Sequence, residues 1–277
     1  MLSRRVRVIV FILMLLLALI WLVPILFVLL SSFRTRMDVT IYPAQLLPHT
    51  WTTFNYEEIL FNSPYAPVMT WLLNSVIVST AHTLITLLVA TPAAYAFARL
   101  QFKFRETLFW ILLATMMIPK IVNFVPLYKL MRDFKMLDTL WCLIIPGVEN
   151  AFNVFLLRQF MRSIPKDIEE AAYIDGSNSF GIFTRLFIPL CKPVILVVGL
   201  FAFRNNWNEL LWPLVAVSSI EKRTVTAGLS IAQGTFDHEF TMVNTVAALS
   251  VIPLVLIFIF TQKYFMQGLN LSSGSKE

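Results

Sequence analysis

Glu169, Glu170 and Asp175, set around Ala171-Ala172 and closed by Gly176, are the residues of this 277-residue chain best placed to do chemistry, and that chemistry is docking. A carboxylate on a short polar helix makes charge-assisted hydrogen bonds to a basic partner. Paired alanines beside it leave a flat face on which another surface can close. A second polar set lies within stretches that are otherwise apolar: Lys120, Glu149, Arg204 and Glu209, with Asn74, Asn205, Asn206 and Asn208 nearby. A charge near mid-bilayer costs at least about 2.5–3.5 kcal/mol, so each of these groups needs a partner or a water-filled cavity. Glu149 and Arg204 fall at similar depth on consecutive stretches, a position from which they can pair. An embedded enzyme is disfavoured. The 3 histidines, His49, His82 and His238, are scattered, and no metal-binding spacing such as His-x-x-x-His occurs. No Gly-x-x-x-x-Gly-Lys-Ser/Thr run is present to cradle nucleotide phosphates.

The elements that position these groups are membrane helices. The chain is 58% hydrophobic and 14% charged, against soluble averages of about 45–50% and about 25%. Its mean hydropathy is +0.74. A crossing needs about 20 apolar residues, and six stretches qualify: residues 8–30, 72–97, 108–127, 140–157, 194–217 and 243–260. A β-barrel needs strands of alternating polarity, which the run from Phe11 to Leu17 does not show. The expected fold is an all-α membrane protein with six transmembrane helices. The first stretch follows Arg4, Arg5 and Arg7 and is longer than a signal-peptide core of about 7–15 residues, so it reads as a retained anchor. Lys and Arg are denser in the flanks that become cytoplasmic if the N-terminus is inside, such as Arg99, Lys103, Arg105, Arg158 and Arg162. Both termini are therefore expected in the cytoplasm. The net charge of +6 reports this topology and not nucleic acid. Cys142 and Cys191 fall near opposite membrane faces, too far apart for a disulfide.

Residues 31–71 contain Pro43, Pro48, Pro64 and Pro67 with Trp51, Phe54 and Tyr56, the mark of an irregular packed cap. Pro119, Pro146-Gly147, Pro213 and Pro253 interrupt the later stretches. Such breaks persist in a membrane only where protein or a wet cavity satisfies the freed carbonyls. From about residue 158 to 192 the polarity changes. Pro165 suits a first helical turn, Asp167, Glu169 and Glu170 favour that positive end, and Gly176 stops the helix. Ser177-Asn178-Ser179 opens a second short helix that leads to Pro189. On the residues alone, the polar helix also fits one lying on a lipid surface. No repeat or separate soluble domain is evident, so residues 1–277 are expected to form one domain.

The segment Glu170-Ala171-Ala172, three residues, Gly176, a nine-residue spacer, then Leu186-Phe187-Ile188-Pro189, resembles the signature of the membrane subunits of binding-protein-dependent ABC importers. The family has Ile and Leu where this chain has Leu186 and Ile188. The stretches 71–75, 93–99, 155–160 and 207–213 extend the resemblance to the carbohydrate-uptake branch, and within it to the smaller permease of maltose-type systems. That resemblance implies a cytoplasmic coupling helix, with Glu170, Ala171, Ala172, Asp175, Gly176 and Pro189 engaging the ATPase. It implies a second permease subunit as heterodimer partner, two ATPase subunits that hold ATP and Mg, and an extracytoplasmic solute-binding protein. The setting would be the bacterial or archaeal cytoplasmic (inner) membrane, with no cofactor in this chain. The intramembrane polar groups themselves support a reading in which Asn74, Glu149, Arg204, Trp207, Asn208 and Glu209 line a translocation pathway, with Trp207 or Phe203 as a stacking face. The alternative is that these groups only tie helices together. A non-sugar solute such as a glycerophosphodiester, or a stand-alone carrier, are the competing functions; a carrier has no use for a coupling helix. Residues 269–277 depart from the family's usual C-terminal ending, and their role stays open.

Overall fold

The computed structural model describes residues 4–42, 45–62, 66–235 and 240–273. Helices run in the order α1 (Arg4–Ser31), α2 (Arg36–Ile41), α3 (Phe54–Glu57), α4 (Val68–Ala98), α5 (Arg105–Ala114), α6 (Phe124–Asp133), α7 (Trp141–Ile144) and α8 (Ala151–Ser163). They continue as α9 (Lys166–Ile174), α10 (Ser179–Ile182), α11 (Ile188–Leu190), α12 (Lys192–Trp207), α13 (Leu211–Ala216), α14 (Val225–Thr235) and α15 (Phe240–Ser273). Among the described residues there is no strand, only an isolated bridge between Arg34 and Trp51. The all-α class is as expected.

Three of the six apolar stretches lie in single long helices. Residues 8–30 fall in α1, 72–97 in α4 and 243–260 in α15, and each of these helices is long and apolar enough to cross a bilayer. α1 is exposed along almost its whole length, as befits a helix apolar on every side. The other three stretches are broken, and proline explains each break. Residues 108–127 are not one kinked helix: the segments Arg105–Met117 and Lys120–Asp133 meet at 94°. Pro119 excludes a helical conformation for the residue before it, and Ile118 is extended (φ −83°, ψ 118°). Residues 140–157 divide into α7 and α8 across Pro146 and Gly147, whose φ of +86° is left-handed. Residues 194–217 divide into α12 and α13, and Pro213 lies in the first turn of α13.

The chain packs as two compact units, Met1–Thr70 with Gly228–Ile252, and Trp71–Ala227 with Pro253–Glu277. The first unit contains the cap foreseen for residues 31–71, of which Pro43 and Pro64 lie outside the described residues. Its centre is Arg34, fully buried, which pairs with Asp38 (Nε to Oδ2, 3.2 Å) and donates to the carbonyls of Asp38, Tyr42 and Gln45. Asn55 donates to the carbonyls of Ser32 and Arg34 at 2.8 and 2.9 Å, and Phe33 packs on Trp51 and Tyr56. Irregular backbone survives here because side chains replace the missing ladder.

In the second unit one core gathers Ala90, Ala94 and Tyr95 of α4 against Leu157 and Met161 of α8, Phe187, and Val194 and Val198 of α12. The small residues of α4 sit inside this contact, Ala94 being fully buried, so backbones approach closely. A second core joins Val78, Met131, Cys142, Leu143 and Trp212. Cys142 and Cys191 are both buried and free.

Candidate functional site

The polar helix foreseen from the Glu-Ala-Ala segment is α9. Pro165 precedes it with ψ of 140°, and Asp167 and Glu169 occupy its first turn, where the helix dipole favours carboxylates. Its end is fully determined by sequence. Gly176 takes φ +82°, its N–H donates to Tyr173 O at 3.0 Å, and the Ser177 N–H donates to Ala172 O at 3.0 Å. That pair of bonds is a Schellman motif, which satisfies two carbonyls that the helix leaves open. Asn178 then caps α10, its Oδ1 accepting from the Gly181 N–H at 2.8 Å. A π turn, Phe183–Phe187, carries the chain to α11, where Pro189 offers no N–H and stands just before a 77° bend.

No residue of α9 is buried. Ala172 turns toward the α4–α8 core, whereas Glu170 and Ala171 are exposed and Ile174 is 87% exposed. An apolar side chain so bare beside a free carboxylate is a surface prepared for contact. The helix does not float. Arg99, at the end of α4, lies 3.6 Å from Glu169, and its Nη2 donates to the carbonyls of Met161 and Ile164. The two glutamates thus have different work: Glu169 is turned inward onto Arg99, and Glu170 faces out. Burial pushes the Glu169 carboxyl above its ordinary value, and Arg99 and Lys166 offset only part of that. Arg158 ties the neighbouring elements together. Its Nη2 donates to both oxygens of Glu106 at 2.9 and 2.8 Å, its Nε donates to Phe97 O at 3.1 Å, and its guanidinium lies 3.7 Å from the Phe109 ring. In the sequence Arg99 and Arg158 mark topology and fall within the stretches 93–99 and 155–160 that carry the resemblance, but nothing there assigns them these structural ties. Arg99 directly follows the small-residue end of α4, which was the available signal; Arg158 lies inside α8 and carried none.

The second feature is a cavity of about 170 Å³ in the same unit, lined among others by His82, Lys120, Phe124, Glu149, Asn153, Asn205, Asn206, Glu209 and Trp212. Its floor is the broken stretch around α7. Three successive carbonyls there are taken by side chains: Trp212 Nε1 donates to Cys142 O at 2.7 Å, Asn206 Nδ2 to Leu143 O at 3.1 Å, and His82 Nδ1 to Ile144 O at 2.7 Å. Side-chain donors thus supply what the Pro146-Gly147 break removes.

Of the residues assigned to a pathway, Glu149 and Glu209 line this cavity, and Asn74, Arg204, Trp207 and Asn208 do not. Asn74 is buried and donates to the carbonyls of Glu221 and Arg223 at 2.7 and 3.0 Å, a structural tie. Trp207 is buried and stacks on Phe203 at 5.6 Å, so neither ring offers a free face. Asn208 caps the end of α12. Glu149 and Arg204 form no ion pair. Arg204 is exposed, because equal depth along two helices does not fix the direction in which each side chain points. The aromatic groups at the cavity are instead Phe124 and Trp212.

Bent apolar helices around a polar cavity, with a capped polar helix pinned outside the apolar stretches, define a membrane transport subunit. The chain belongs to the family described as binding-protein-dependent transport system inner membrane component, whose model matches residues 87–270. It is 31% identical over 248 residues to a sulfoquinovosyl glycerol transport system permease of Agrobacterium fabrum, covering 89% of this chain and 86% of that one. It is also 31% identical over 248 residues to an arabinooligosaccharides transport system permease of Halalkalibacterium halodurans, covering 89% and 88%. Among solved structures, a bacterial ABC transporter involved in the import of the acidic polysaccharide alginate contains a chain of TM-score 0.80 and 26% identity, with 96% of this chain and 99% of that one covered. The chain is therefore a multi-pass permease subunit and not itself an enzyme.

Proposed function

We propose that this chain is one of two permease subunits through which an ATP-driven importer passes a carbohydrate into the cytoplasm. The observation that carries the proposal is α9: a short helix closed at its C-terminal end by Gly176, with Glu170, Ala171 and Ile174 turned outward, held to the bundle through Arg99. A helix that must transmit force has to be fixed at its base and bare at its contact face. Two cytoplasmic ATPase subunits, holding ATP and Mg, would grip α9 of this chain and its counterpart on the second permease. An extracytoplasmic binding protein would deliver the solute. The carbohydrate class is supported by the relatives, which carry sulfoquinovosyl glycerol, arabinooligosaccharides and alginate in their names. The whole chain acts as one transmembrane domain of six crossings in this reading. The broken stretches 108–127, 140–157 and 194–217 serve as bent spans, and both termini are cytoplasmic.

The test is purification of the tagged chain from its own membranes, followed by reconstitution. The proposal expects an ATPase and a second permease to co-purify, and carbohydrate uptake to need ATP and the binding protein. Uptake that proceeds without the ATPase would make the chain a stand-alone carrier.

A further inference from the structure

The cavity contains more polar side chains than the fold uses. His82, Asn206 and Trp212 are committed to the carbonyls of the broken stretch around α7. Lys120, Asn123, Glu149, Asn153 and Asn205 line the same space, and none makes a side-chain hydrogen bond or ion pair with a described residue. Asn153 is only 3% exposed. Its carboxamide lines the cavity and takes no partner from the fold, so both its donor and its acceptor stay open to an occupant. Glu209 makes one long contact, accepting from the Trp212 N–H at 3.5 Å, and keeps its remaining acceptor capacity. Phe124 and Trp212 meet edge to face at the wall.

We infer that this cavity is a solute subsite, in which this chain itself holds one neutral, hydroxyl-bearing ring of the transported carbohydrate. Each sugar hydroxyl both donates and accepts. Carboxamides match both roles, carboxylates take the donated hydrogens, and Lys120 supplies donors alone. One cation and two carboxylates leave the site with no surplus positive charge, so it suits a neutral ring better than an acidic one. The volume of about 170 Å³ is small beside the roughly 300–1,000 Å³ of pockets for drug-sized ligands. A longer chain would therefore pass one ring at a time. This inference rests on the carbohydrate-importer reading and adds the location and chemistry of contact.

The experiment uses the complete importer with its binding protein in proteoliposomes, and lactose, maltose and arabinotriose as radiolabelled probes. Glu149→Gln and Asn205→Leu are chosen because both positions are exposed on the cavity side and neither is used by the fold. Each is expected to raise the transport KM for the carried sugar by about tenfold, the loss of a hydrogen bond from the site. ATPase stimulation by the sugar-free binding protein should remain at the unmodified level. In a second arm Asn205→Cys is alkylated with N-ethylmaleimide, the native Cys142 and Cys191 being buried; the carried sugar should slow that reaction. KM values within about twofold of the unmodified importer, with alkylation indifferent to sugar, would overturn the subsite while leaving the carbohydrate reading intact. An unmodified importer that moves none of these three neutral sugars would overturn a neutral ring as occupant, and a non-carbohydrate solute recovered from its binding protein would overturn the carbohydrate reading.

Discussion

Glu170 and Gly176 show how much a single residue of α9 can decide. Glu170 is exposed, so Glu170→Lys should change fold stability by under about half a kcal/mol. It should nevertheless reverse the charge offered to the ATPase. The expected outcome is a sharp fall in transport with normal membrane insertion, read by uptake assay and by immunoblot of the membrane fraction; normal uptake with normal ATPase retention would remove the docking role. At Gly176 an added Cβ meets nothing within 4 Å, so a substitution there acts through the backbone alone. With φ at +82°, Gly176→Val forces a β-branched residue into a region costing about 1–3 kcal/mol, and Gly176→Ala is milder. Hydrogen exchange at the Ser177 amide, whose bond to Ala172 closes the helix, should speed up in the order Gly, Ala, Val. Equal exchange in the three proteins would show that the left-handed end is not held. Arg204→Met should leave the thermal stability of this chain's own fold unchanged, since Arg204 is exposed and unpaired with Glu149. The pairing expected from matched depth failed because side-chain direction is set by helix phase, which a break at Pro146 resets.

At the scale of the element, the question is what keeps α9 in place. Arg99 offers its charge to Glu169 and its donors to two carbonyls at the end of α8 and the turn after it. Arg99→Met removes all of these and leaves the half-buried Glu169 carboxyl without its cation, so α9 should loosen from the bundle. Glu169→Gln should cost far less, because burial already favours the uncharged form at that position. The sign of the pH effect follows. A carboxyl whose folded value lies above its unfolded one contributes its stability in full below the unfolded value and loses it as pH rises through the folded value. The protection of α9 amides, taken relative to the intrinsic exchange rate at each pH, should therefore be greater at mildly acidic pH than at neutral pH, and Glu169→Gln should abolish that difference in protection. An Arg99→Met protein with unchanged exchange across α9 would mean that the apolar contact of Ala172 alone holds the helix. The existence, limits and Gly stop of α9 were legible in the sequence, since capping, charge placement and a glycine stop are local. The Arg99 pin was not, because it joins residues far apart in the chain.

Across the whole molecule, composition was enough for the all-α membrane class, and the Glu-Ala-Ala to Pro189 pattern for the family. Hydropathy marked residues 108–127, 140–157 and 194–217 as apolar but did not show that each is broken, because apolar content does not reveal whether a stretch is straight. The prolines were visible as kinks, but the size of a bend depends on which side chains take the freed carbonyls, as His82, Asn206 and Trp212 do. The same reasoning located the cavity only in part: Glu149 and Glu209 line it, while Asn74, Trp207 and Asn208 serve packing and caps. The central proposal is that α9 is the contact through which ATP hydrolysis reaches the bundle. The most direct measurement places a photo-crosslinking amino acid at Ile174, the 87% exposed end of α9, in the assembled importer, with a second at Trp21 of α1 as a lipid-facing control. Mass spectrometry should find the Ile174 probe joined to the ATPase subunit, with the yield changing when ATP binds, and the Trp21 probe joined to lipid. An Ile174 probe that reacts only with lipid, at the same yield with and without ATP, would contradict the account.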